Sequence, residues 1–166
     1  MIKLLIFFSS FGLILVIFLV VISHFNPAEI FVQSEDEKRI QNVEKLARGL
    51  NSYYHKGASN IKEKNDWISV LFKEKMIDEI PKDTKGICSF PESTLDGSQN
   101  GYCYNIVSQD NFAVFTLLNS KSKRDKCSGL FEVPHYVYYS KTKKGCIKCE
   151  RLADFIPGST PESLCR

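Results

Sequence analysis

The chain opens with apolar residues from Leu4 to Ile22 (LLIFFSSFGLILVIFLVVI) that carry no charge, and only afterwards turns periodic. About 20 such residues, at 1.5 Å of rise each, match a hydrocarbon core of about 30 Å. Lipid offers no partner to a free backbone group, so a helix is the expected form. The run is long for a secretory signal, and Ser23-His24-Phe25-Asn26-Pro27 is a poor cleavage site. A retained, single-pass anchor is expected. Beyond it, Ile40, Val43, Leu46, Ala47, Leu50, Tyr53 and Tyr54 recur at spacings of three and one, which is one face of a helix. Gly57 suits the residue after its C-cap. Pro27 is expected to kink this long helix without ending it. Three parts follow: residues 1–25 as the membrane half of the helix, 26–57 as its soluble half, and 58–166 as a small α+β head.

Within the head, Asp66 is placed to cap a short helix from Trp67 to Lys75, and Pro81 punctuates the loop that follows. Alternating and β-branched segments predict four strands. YCYNIV and FAVFTLL flank a turn at Ser108–Asn111, VPHYVYYS follows, and a last strand lies around Cys146 to Leu152. Pro134 places the third of these at an edge or delays its start to His135. The fold class expected is α+β, with a long N-terminal helix packed on a small antiparallel sheet.

Charge refines the picture through its distribution. The chain has 22 Lys and Arg against 19 Asp and Glu, a formal net charge of +3, which names no partner. Glu29, Glu35, Asp36 and Glu37 follow the apolar run, whereas Lys3 precedes it. This asymmetry predicts a cytoplasmic N-terminus and an extracytoplasmic head. All six cysteines, Cys88, Cys103, Cys127, Cys146, Cys149 and Cys165, lie on the far side of the run. In an extracytoplasmic domain an even count reads as disulfides. Cys146-Ile147-Lys148-Cys149 also fits a zinc half-site, with Cys103, Cys127 or His135 as further ligands. A redox reading needs a following helix to lower the thiol pKa, and none is predicted. Residues three apart on a strand face opposite sides, so Cys146 and Cys149 are expected to take different partners. Cys88 with Cys103 is the expected pair across the proline-bearing connection, and neither metal nor cofactor is expected.

From Asn119 to Arg151 there are nine Lys or Arg against three acids. Lys121, Lys123, Arg124, Lys126, Lys141, Lys143, Lys144 and Lys148 interleave with Tyr136, Tyr138 and Tyr139. This pattern fits a patch for nucleic acid or an anionic polysaccharide. The plainer reading is a solvated face whose lysines protect an edge strand. His24, His55 and His135 stand alone in sequence, no phosphate loop or HExxH is present, and no enzyme activity is expected.

The order of short motifs resembles the type IV pilin and type II secretion pseudopilin family over roughly Leu4 to Leu118. Asn26-Pro27-Ala28-Glu29 looks like the family's Asn-Pro-x-Glu at the membrane exit, and Asp36-x-x-Arg39 is similar to its Asp-x-x-Arg. Leu46, Leu50, Tyr53 and Tyr54 match its Leu…Leu…Tyr positions. Ile80, Pro81, Lys82 and Asp83 resemble its Leu-Pro-Lys-Asp-Pro loop, and Tyr102-Cys103-Tyr104 its Tyr-x-Tyr hairpin. The resemblance implies a structural subunit of a cell-surface filament or secretion apparatus, whose helix meets other pilin-like subunits in the membrane. The chain departs from the family at its start. No Gly-Phe-Thr-Leu-x-Glu peptidase junction and no carboxylate stand between Lys3 and Glu29, and a basic leader is not expected. An uncleaved terminus at Met1 or Ile2 is therefore expected, with membrane residence over abundant polymerisation. The competing expectation is a monomeric, membrane-anchored binding domain that uses the basic C-terminal face.

Overall fold

The computed structural model describes residues 12, 14–20, 26–57, 61, 65–83, 95–108, 111–129 and 131–151. Gly12 and residues 14–20 are helical. Most of the predicted span lies outside the described residues, and among these no helix is long and apolar enough to cross a membrane.

Helix α1 runs from Pro27 to His55. Its start corrects the expectation of one continuous, kinked helix. The residue before a proline is pushed out of the helical region, and Asn26 is extended (φ −89°, ψ 93°). Its side chain accepts from the Glu29 N–H at 3.3 Å, and Pro27 takes the first helical position, where no N–H is needed. At the other end Gly57 (φ +77°) donates to the Tyr54 carbonyl at 2.9 Å, as its position suggested. Helix α2 covers Trp67–Lys73, two residues shorter at its end than the pattern predicted, and α3 covers Lys121–Arg124 inside the expected basic loop.

Among the described residues five strands form one antiparallel meander, one strand more than expected: β1 (Gly97–Gln99), β2 (Tyr102–Ser108), β3 (Asn111–Leu117), β4 (Glu132–Tyr139) and β5 (Lys144–Arg151), in that order. Asn100 (φ 52°) and Gly101 (φ 80°) join β1 to β2 with two left-handed residues, the geometry that matches strand twist in a tight hairpin. Gly97 lies opposite Tyr104, and a Cβ there would sit 2.0 Å from that ring. Its absence lets Tyr104 reach Trp67 at a ring separation of 4.8 Å.

The face of α1 read from the sequence packs on one side of this sheet. Val43, Leu46, Ala47, Leu50 and Tyr54 join Tyr102, Tyr104, Phe112, Val114 and Tyr136, with Trp67, Ile68 and Leu71 of α2 closing the same core. The other side of the sheet is buried as well: Leu95, Cys103, Ala113, Phe115, Val137 and Tyr139 form a second cluster. Asp66 precedes α2 as expected but makes no side-chain cap. Gln99 of β1 supplies it, accepting from Ile68 N at 2.6 Å while its amide donates to Asp66 Oδ1 and Ser69 Oγ. Helix and first strand are thereby fixed to each other.

Candidate functional site

Acidic residues recur along one edge of α1 at Glu29, Asp36, Glu37 and Glu44, about seven apart, so they line up on the helix surface. Each reaches the connection between β3 and β4, or β4 itself. Glu29 Oε1 accepts from Ser122 N at 3.2 Å. The Asp36 carboxylate accepts from Asn119 N at 2.9 Å and Ser120 N at 2.8 Å. Glu37 pairs with Lys123 at 3.0 Å, and Glu44 accepts from the Tyr136 hydroxyl at 2.7 Å. Burial pushes the Tyr136 hydroxyl pKa upward, and its bond to Glu44 adds to the shift.

At the centre of this row Asp36 (0% exposed) also accepts from Arg39 Nη1 at 2.7 Å. Arg39 (3% exposed) in turn grips Asp83 with two donors, Nε to Oδ2 and Nη2 to Oδ1, the latter at 3.1 Å. Burial alone would lower the Arg39 pKa. The hydrogen bonds and charges of Asp83 and then Asp36 outweigh it, and the net shift is upward. Asn42 donates to the Tyr102 hydroxyl at 2.8 Å beside this cluster. A cleft of about 230 Å³ opens here, with Phe31, Glu35, Lys38 and Lys82 at its mouth. The guanidinium is locked between two carboxylates, which suits fixing the helix to the head better than proton transfer.

The residues singled out from sequence separate into groups. Asp36, Arg39, Asp83 and Tyr102 converge on the cluster. Asn26 and Pro27 form the start of α1, and the buried Pro81 accepts from Asn100 at 3.1 Å. Tyr53 and Tyr54 stand at the far end of the helix, where Tyr54 meets Phe112 at 6.0 Å. Tyr104 is core. The basic residues do not make one patch. Lys121, Lys123, Arg124 and Lys126 follow β3 beside the first turns of α1. Lys141, Lys143 and Lys144 occupy the turn at the opposite end of β4, roughly 23 Å away at the rise of an eight-residue strand. Lys148 is a correction: it is 2% exposed, in register with the buried His135, and cannot belong to a solvated face.

Cys127 bonds Cys149, with Cα atoms 5.3 Å apart and a sequence separation of 22. Cys103 and Cys146 are disulfide-bonded too, so none of these four offers a thiolate to zinc or to redox chemistry. The registers align Cys103, Phe115, Val137 and Cys146 in one row across four strands. Three strand spacings separate the two cysteines by roughly 14 Å, beyond a disulfide's Cα reach of about 7 Å, so they are not bonded to each other. Cys146 and Cys149 do take different partners, as their spacing implied. The expected Cys88–Cys103 pair involves Cys88, which with Cys165 lies outside the described residues. Peptide mapping without reduction should recover Cys127 joined to Cys149 and Cys88 joined to Cys103; a Cys146–Cys149 peptide would refute this. Replacing Cys127 and Cys149 together by serine should lower stability by roughly 3 kcal/mol, from the length of the loop they close.

No family model, curated protein or solved structure matches the chain.

Proposed function

We propose that the chain is a structural, pilin-like subunit, anchored in the membrane by its N-terminal helix with the head on the extracytoplasmic side. Its work is assembly through the helix with other pilin-like subunits, in a filament or a secretion apparatus. One observation carries this reading: the apolar surface of the N-terminal helical residues is divided. From Val43 to Tyr54 the stripe is consumed by the chain's own sheet. At Ile30, Phe31 and the helical residues 14–20, large apolar side chains face outward, unlike those of a self-contained head. The uncharged run from Leu4 to Ile22 and the motif order through Tyr104 support the same reading. So does the Asp36–Arg39–Asp83 cluster, which fixes the direction in which the helix leaves the head and so lets membrane contacts govern how heads are presented.

The test is photo-crosslinking in native membranes, with a photoreactive residue at Ile30 and, as a control, at the exposed Arg48. Adducts to a second helix-bearing chain from Ile30 and none from Arg48 are expected. Release of the full chain by alkaline carbonate, or adducts from Arg48 alone, would refute the assembly reading.

A further inference from the structure

The two basic clusters sit at opposite ends of the head, and only one lies beside the start of α1. Ser122, in the middle of α3, donates to Glu29 in the first turn, and Lys123 pairs with Glu37 a little further along. That leaves Lys121, Arg124 and Lys126 exposed around the same turn, with Asp125 as the one acid among them. The apolar run ends at Ile22, and the seven residues from there to Glu29 span at most about 24 Å. The headgroup layer occupies about 5–8 Å of this on each side of a bilayer, and charges act over a further 8 Å or so at physiological salt. Apolar side chains accompany the cations. Ile30 and Phe31 face outward in the first turn of α1, and Phe131 is 79% exposed at the start of β4, at the same end of the sheet as α3.

Phe131 is also held in an unfavourable backbone conformation (φ 70°), which a bulky residue rarely adopts. Its turn is braced. Gly129 N donates to Glu132 Oε2 at 2.9 Å, Glu132 N donates to the Gly129 carbonyl, and the Cys127–Cys149 bond fixes the loop to β5. An exposed aromatic kept there against local strain, at the same end of the sheet as three exposed cations, has the composition of a membrane-interface contact.

We infer that α3 and its flanking turn form a docking surface for anionic lipid headgroups, which holds the head down on the bilayer that anchors it. This rests on the anchored reading above. The surface gives the head a preferred tilt, because cations on one side of α1 are drawn to the leaflet and those of the β4–β5 turn are held away. Lys123 contributes little, being occupied by Glu37.

The test is lysine acetylation footprinting of the full chain in vesicles of zwitterionic lipid alone or with anionic phosphatidylglycerol. Lys121 and Lys126 should react about fivefold more slowly in the anionic vesicles, the effect expected of a cation at a charged leaflet. Lys141, Lys143 and Lys144 should be unchanged, and about 0.5 M salt should abolish the difference. Equal slowing of both clusters, or of neither, overturns the docking surface while leaving the anchor intact. Slowing by a soluble polyanion but not by anionic vesicles also overturns it. A chain that floats with neither kind of vesicle removes the anchor itself, and this inference with it.

Discussion

Arg39→Met is expected to destabilise the head by roughly 3–5 kcal/mol, the cost of breaking a buried ion pair from one side. Asp36 would keep its bonds from Asn119 and Ser120 but lose the Arg39 cation bonded to it, and Asp83 would lose a two-donor partner. Both carboxylates would then lack the counter-charge that the fold places between them. Arg39→Lys should lose less, about 1–3 kcal/mol, since charge is kept but one ammonium cannot reproduce a planar fork. Trp67, the chain's single tryptophan, is fully buried against Tyr104 and reports unfolding directly. Urea titration of the full chain in detergent, followed by that fluorescence, separates the two variants. If Arg39→Met unfolds at the wild-type urea concentration, the cluster is not what joins α1 to the head.

The parts of this fold visible in the sequence were those written in short-range periodicity. The stripe from Val43 to Tyr54 follows from spacing alone, because a helix repeats every few residues and its buried face must be apolar. Strand β1 was missed because three residues cannot show a period of two. Yet Asn100-Gly101, a strong hairpin signal, stood next to it and named the turn. Gln99 as the cap of α2 could not be read locally at all, since donor and acceptor lie about thirty residues apart.

The burial of Lys148 has a different cause. A solvated place for Lys148 requires a sheet covered by the helix on one face and open to water on the other. The near-continuous apolar run Phe112–Leu118 already argued for burial on both sides. On that view Lys148 shares the parity of Cys146 and falls on the second buried face, as the register with His135 shows. The site was half legible. Asp36, Arg39 and Asp83 stood out only as motif positions, because nothing local joins a helix residue to a loop more than forty residues away. The seven-residue recurrence of acids at Glu29, Asp36 and Glu44 was the available clue that this edge of the helix meets something polar.

Acidification is expected to weaken the head well before carboxylates titrate, through His135. Its ring is 2% exposed on β4, and its pKa is lowered from 6.5 to about 4. Burial is the main cause and the charge of Lys148, its cross-strand neighbour, adds to it, against a bond with the Val133 backbone that works the other way. The folded state therefore binds a proton less readily than the unfolded chain. The stabilisation is fully present above about pH 6.5 and is lost as pH falls through the folded-state value near 4. The interval corresponds to about 3 kcal/mol in all, of which about 2 kcal/mol is gone by pH 5. Unfolding of the wild type and of His135→Leu, measured at steps from pH 7 to 5, isolates the contribution, since carboxylates as a class titrate lower. The wild type should lose stability across that window and the variant should change little, so the wild-type curve falls relative to the variant's as the medium becomes acidic. Parallel curves would mean that the imidazole does not sense the burial the fold imposes on it.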